Sequence, residues 1–207
     1  MKSFAALALA STAFSQIIVT PGQQGGPDPN QVHINSISYA GTGCPAGSVS
    51  QILSADATTF TLLMSEFVAS SGPGTKITDS RKNCQINLNL SYPQGFSYSI
   101  ASVQYRGYVQ IPAGVTATQE ATYYISGQQQ QVSSRTVFNQ PTDQDYENTD
   151  QISLAAMVWS PCGAVLPGNI NTQVRLTGDL TQAAQITVDS VDGTVQQIYG
   201  LQWRTCP

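Results

Sequence analysis

Residues 84–92 read CQINLNLSY. Cys84, Ile86, Leu88, Leu90 and Tyr92 fall on one side of a period-two alternation, and Gln85, Asn87, Asn89 and Ser91 on the other. That alternation marks a strand with one face in a core and the other in water. A helix would need apolar residues three and four apart, and no such stripe survives beyond two turns in this chain. The same reading puts the Cys84 sulfur on the core side of the strand.

The period recurs on both sides of this stretch. In VQYRGYVQI, residues 103–111, Val103, Tyr105, Val109 and Ile111 share a face; in VTATQEATYYI, residues 115–125, Val115, Ala117, Ala121, Tyr123 and Ile125 do. Pro112-Ala113-Gly114 reads as a turn, which predicts a hairpin with Ile111 opposite Val115. That register sets Arg106 against Glu120 on the outer face. It also turns Gln119 inward opposite Gly107, a position for a bulge or a sheet margin. Further strands are predicted at 32–39, 48–53, 59–64, 96–100, 152–159, 170–176, 185–188 and 195–204, with Asp192-Gly193 as a tight turn before the last. A short helix is predicted at 65–70. Many short strands separated by turns predict an all-β fold, an antiparallel β-sandwich.

The first 15 residues, MKSFAALALASTAFS, have the layout of a secretory signal peptide: a charge at Lys2, a short apolar run, then small residues. The run is shorter than the roughly 20 residues a bilayer requires. Cleavage after Ala13 or Ser15 fits the small residues there; the favoured position, Ser15, would leave Gln16 at the start of a Gly-, Pro- and Gln-rich leader, residues 16–30. Residues 31–207 read as one secreted, extracellular domain, long enough for a single core. Charged residues make up 10% of the chain, against about 25% in ordinary soluble domains. The formal net charge is −4 and the only lysines are Lys2, Lys76 and Lys82. Such a balance argues against nucleic acid and against an anionic membrane surface, which both need clustered cations. The partner expected, on the outward tyrosines described below, is polysaccharide or cell-wall glycan, and the protein is expected to be a monomer.

Four cysteines in a secreted chain predict two disulfides. Of three possible pairings, the division of the chain into an early and a late pair favours Cys44–Cys84 and Cys162–Cys206. Each would close a loop of about 40 residues, stabilising by roughly 4 kcal/mol through unfolded-chain entropy. Zinc is disfavoured because no two cysteines are close in sequence.

Several local patterns occur together: GTGCP at 41–45, Asp79-Ser80-Arg81-Lys82-Asn83-Cys84 as D-x-R-x-x-C, YPQG at 92–95, RGY at 106–108, WSPCG at 159–163 and a terminal WRTC at 203–206. In this combination the chain resembles a family of small secreted proteins, mostly fungal with some bacterial members, known as a domain of unknown function. The resemblance spans roughly residues 32–206. It implies a secreted, two-disulfide β protein and carries over no catalytic residue.

His33 is the only histidine, which removes HExxH proteases, three-histidine zinc sites and two-histidine copper sites. Lying between Val32 and Ile34, it is expected on a solvent-facing side. There is no G-x-S-x-G elbow. Glycoside hydrolysis needs two carboxylates across a cleft; Glu66 beside Phe67 is a candidate for burial, but spacing supplies it no partner. Residues 139–150, NQPTDQDYENTD, carry Asp143, Asp145, Glu147 and Asp150. Their alternate spacing resembles a calcium loop without its glycine and terminal glutamate, so a solvated loop is expected and no metal or cofactor is implied. The binding candidates are Arg106, Tyr108, Glu120 and Tyr124 on the outer face of the predicted hairpin, two tyrosines for sugar rings beside polar groups for hydroxyls. Trp159 and Trp203 are expected to pack around Cys162 and Cys206. Asn89-Leu90-Ser91 is the single glycosylation sequon. The reading is of a non-enzymatic protein acting at a wall, matrix or host surface. The alternative is a hydrolase whose carboxylates meet only in three dimensions.

Overall fold

The computed structural model describes residues 26–162, 165–188 and 195–207. Its strands are β1 (His33–Ala40), β2 (Val49–Leu53), β3 (Thr59–Met64), β4 (Val68–Ser71), β5 (Arg81–Ser91), β6 (Phe96–Ile111), β7 (Val115–Ile125), β8 (Gln131–Phe138), β9 (Thr142–Gln151), β10 (Gly168–Gly178), β11 (Ala184–Thr187) and β12 (Val195–Thr205). They form two antiparallel sheets. One has five strands in the order β1-β5-β10-β7-β8; the other runs β2-β3-β12-β6-β11-β4, with β9 paired to the remaining edge of β6. The chain is thus an all-β sandwich. Its core is made by the inward residues of both layers, among them Ile86, Leu88 and Leu90 of β5 and Tyr98, Val103, Tyr105 and Val109 of β6.

The predicted hairpin does not form. β6 pairs with β12, β11 and β9, whereas β7 pairs with β10 and β8 in the other sheet. Residues 112–114 carry the chain across the sandwich. The alternation in each strand was compatible with both outcomes. A hairpin would set two apolar faces side by side, and an arch sets them face to face across the same core. Charge complementarity did not discriminate either. Arg106 faces Glu147 and Glu120 faces Arg135, so each has a cross-strand partner of opposite sign. Gln119 is fully buried on the inner face of β7, but its neighbours in register are Val174 and Thr136, not Gly107.

Other expectations change as well. Residues 96–100 and 103–111 belong to a single 16-residue strand. The predicted helix at 65–70 is a turn followed by β4, and residues 152–159 are turn and irregular chain. The acidic segment expected to be a loop is strand β9. β8 and β9 carry no clear strand signal in the sequence, because outer strands of mostly Ser, Thr, Gln and Asp show little apolar alternation; Tyr146 is the large buried side chain of β9. The signal peptide, most of the leader and Asp192-Gly193 lie outside the described residues.

Both disulfides pair as expected: Cys44–Cys84 with Cα atoms 5.5 Å apart, and Cys162–Cys206 at 5.8 Å. The GTGCP segment wraps the start of β5. Gly43 N–H donates to Asn83 O at 2.9 Å, and Thr42 Oγ1 donates to Asn83 Oδ1 and accepts from Asn83 N, both at 3.2 Å. Gly43 sits where a Cβ would overlap the Phe67 ring, so the loop must be small to bring Cys44 onto the core. Cys44 and Cys84 are buried, while Cys162 is exposed. Because thiol exchange needs access to sulfur, mild reductant at neutral pH is expected to open Cys162–Cys206 first. Cys44–Cys84 should stay closed until the fold opens, and alkylation followed by peptide mapping reads the order.

Candidate functional site

Among the described residues, two polar sheet faces present hydrogen-bonding and charged side chains to solvent. The first is the outer face of the β6–β9 pair. Its register puts Arg106 against Glu147, Tyr108 against Asp145 and Gln110 against Asp143. Arg106 Nε lies 2.8 Å from Glu147 Oε2, and Gln104 Nε2 donates to Glu147 Oε1 at 3.0 Å. Tyr108 Oη donates to Asp143 Oδ1 at 2.5 Å. A groove of about 420 Å³ opens at the end of this face between Pro112 and Pro141, with Gln110, Thr142 and Asp143 in its wall. The result is a half-exposed aromatic ring, held by its hydroxyl and ringed by carboxylates and amides that accept from and donate to hydroxyl groups.

The hydrogen bond to Asp143 raises the Tyr108 pKa above its ordinary value of 10; the negative charges of Asp143 and Asp145 oppose ionisation in the same sense. The contact is therefore intact below about pH 10 and is lost as pH rises through the raised value. Burial raises Tyr98 as well, so ultraviolet difference titration is expected to show one fewer late-titrating tyrosine in Asp143→Asn than in the wild type, the Tyr108 step returning toward 10. Equal curves for the two proteins would contradict the contact.

The second polar surface is the outer face of the five-stranded sheet. Register aligns Asn87, Asn169, Tyr124 and Gln131 in one row, then Gln85, Asn171, Thr122 and Ser133, then Asn83, Gln173, Glu120 and Arg135, and last Arg81, Arg175, Thr118 and Val137. Within a row, side chains bond across neighbouring strands, for example Asn171 Nδ2 to Gln85 Oε1 at 3.1 Å and Thr122 Oγ1 with Ser133 Oγ at 2.7 Å. Arg135 Nε is 3.9 Å from Glu120 Oε2. Of the four binding candidates, Arg106 and Tyr108 thus share one face, and Glu120 and Tyr124 lie on the other sheet. The quartet does not assemble, because the hairpin on which it depended does not exist.

The remaining candidates are placed as follows. His33 is exposed at the start of β1. Glu66 is exposed before β4, so the expected burial does not occur. Asn89 is half-buried on the outer face opposite Ser36, one residue beyond the last β5–β10 pair, Leu88–Gly168. Trp203 is core: its Nε1 donates to Ala57 O at 3.1 Å and its ring meets Tyr92 and Tyr98 edge-on or tilted. Trp159 is half-buried with the Arg204 guanidinium 4.4 Å above it. Its neighbour Ser160 is fully buried, accepting from Tyr98 N at 3.0 Å and donating its own N–H to Tyr98 O at 2.8 Å. Ser160 thereby straps this segment to β6. Among the described residues no three His, Cys, Asp or Glu side chains converge as a metal site. A second groove, of about 410 Å³, lies between Thr75, Lys76 and Thr181 and holds Asp179 as its carboxylate.

A relative from Arthroderma benhamiae described as an uncharacterized secreted protein is 47% identical over 189 residues, covering 90% of this chain and 77% of that one. Among solved structures, a carbohydrate-binding module in complex with β-1,4-galactotriose aligns over 87% of this chain and 95% of its own at 7% identity and a TM-score of 0.30. A carbohydrate-binding module of the β-sandwich superfamily aligns over 89% of this chain and 63% of its own at 11% identity and a TM-score of 0.27. Neither superposition is close enough to carry an argument. The sequence relationship is a different matter: the protein is secreted, and a family model covers residues 30–206. This chain belongs to the family described as domain of unknown function DUF4360.

Proposed function

We propose that this protein is a non-catalytic glycan-binding protein. In this reading the β6–β9 face holds neutral polysaccharide at a cell wall, matrix or host surface. The observation that carries the reading is Tyr108. Its ring lies half-exposed on the sheet, oriented by Asp143, between Gln104 and Arg106 on one side and Gln110 and the groove on the other. An aromatic face takes the C–H face of a sugar, and fixed carboxylates and amides take its hydroxyls.

Hydrolysis is the second reading, favoured by one feature: Asp143, Asp145 and Glu147 alternate along β9. Side chains two apart on a strand are about 7 Å apart, within the range of a paired-carboxylate mechanism. Against it, the three acids line one strand instead of facing each other across a cleft, and Glu147 is engaged by Arg106.

Affinity electrophoresis through gels containing soluble β-1,3-glucan, hydroxyethyl cellulose or mannan tests the proposal. The wild type should be retarded by at least one of them. Tyr108→Ala should bind about tenfold more weakly, the equivalent of about 1.4 kcal/mol, and no reducing ends should appear. Wild-type retention unaffected by Tyr108→Ala, or none in any gel, would contradict the face assignment; reducing ends would favour the hydrolase.

A further inference from the structure

The last row of the five-stranded face holds an arrangement that the fold does not need. Arg81 and Arg175 are direct cross-strand partners on β5 and β10. Like charges directly opposite destabilise a sheet. The acids nearest in register and in sequence are already engaged, Glu120 with Arg135 and Asp79 with Lys82 Nζ at 3.5 Å and the Lys76 N–H at 3.0 Å. Arg81 is exposed, and its Nε donates to Gln173 Oε1 at 3.1 Å, which orients that guanidinium. Arg175 is exposed and makes no ion pair among the described residues.

We propose that the Arg81–Arg175 end of this face binds carboxylate groups of an acidic polysaccharide, a polyuronate. A planar carboxylate matches the guanidinium fork and relieves the repulsion between the two arginines. The surroundings fit a sugar polymer. Asn83 and Gln173 in the adjoining row offer amides, Thr118 a hydroxyl, and Val137, 45% exposed, an apolar surface for a ring face. Charge supports the sign. Arg81, Arg135 and Arg175 stand against Glu120 on this face, in a chain of net charge −4, whereas Arg106 on the β6–β9 face stands against Asp143, Asp145 and Glu147. The sequon Asn89 is eight residues further along β5, roughly 26 Å away, so an attached glycan leaves this end open. The site lies on a different sheet from Tyr108, uses different chemistry and stands independently of the neutral-glycan reading.

The test is binding of the full mature protein to polygalacturonate and to the same polymer with its carboxyls methyl-esterified. Wild type is expected to bind the free acid at least about tenfold more tightly than the ester, with affinity falling as salt is added. Arg175→Gln should reduce binding to the acid about tenfold. Arg175→Glu should abolish it while melting no lower than wild type, because the new carboxylate faces Arg81. Tyr108→Ala should leave it unchanged. Equal binding to acid and ester, no binding to the acid, wild-type affinity in Arg175→Gln, or loss on Tyr108→Ala would each overturn the proposal. Failure of the neutral-glycan reading would leave every one of these results as stated.

Discussion

Replacing Cys44 and Cys84 together by alanine is expected to lower the melting temperature by about 10 °C. The bridge spans 40 residues, and removing such a constraint costs about 2–5 kcal/mol. At this chain length each kcal/mol moves the transition by about 2–4 °C. A second cost comes from position. Both half-cystines lie in the core, Cys84 on the inner face of β5, so the alanines leave unfilled space between the sheets as well as a freer unfolded chain. The Cys162–Cys206 bridge closes a loop of similar length, 44 residues, but Cys162 is exposed. Its removal loses the entropic part and little packing. Calorimetry on the two double variants should therefore rank the Cys44–Cys84 loss as the larger, and the reverse order would contradict this account of the core.

Gly107 is the second position where a large effect is expected. A Cβ there would overlap the carbonyl oxygen of Thr187 and lie 2.8 Å from its carbonyl carbon and 2.9 Å from Val188 Cα. All three are backbone atoms, so no rotamer relieves the clash. β11 would have to move away from β6, giving up the Tyr146 Oη bond to Thr187 O at 2.7 Å and the Tyr108 N bond to Thr187 Oγ1 at 3.1 Å. Gly107→Ala is expected to cost about 3 kcal/mol or more, at the upper end for overpacking. Glycan binding should fall even in the folded fraction, because Tyr108 loses its backbone anchor. Gly47→Ala is the contrast. That site is open but has φ +84, so only backbone strain of about 1 kcal/mol is expected. Similar melting temperatures for the two variants would show that β6 and β11 are not in the close contact described.

Some features of this fold were legible in the sequence and others were not. The β5 alternation follows from a pattern within one segment, the sandwich class from many such segments, and both disulfide pairings from the grouping of the cysteines into an early and a late pair. Strand neighbours do not. Val103–Ile111 and Val115–Ile125 each name their inward face, but an arch and a hairpin bury the same faces, and only the competing edges of β9, β10 and β12 decide between them. β9 itself was hidden because a strand whose outward side chains are Asp143, Asp145 and Glu147 reads as loop by composition. The site suffered from the same blindness. Tyr108 and Arg106 were singled out correctly as outward-facing residues of one strand, while Glu120 and Tyr124 were assigned to the wrong neighbourhood. The true companions of Tyr108, Asp143 above all, lie 35 residues away in a segment with no strand signal. The Arg81–Arg175 pair spans 94 positions and could not be seen without the register of β5 and β10.

The central claim is that the β6–β9 face recognises sugar without altering it. Backbone amide shift mapping with a soluble neutral oligosaccharide, cut from whichever polysaccharide retains the protein, tests that claim most directly. The account predicts perturbed amides concentrated at residues 104–110 and 142–149, with the oligosaccharide recovered intact. Perturbations centred instead on Tyr124, Thr122 and Asn171, or a shortened oligosaccharide at the end of the titration, would contradict it.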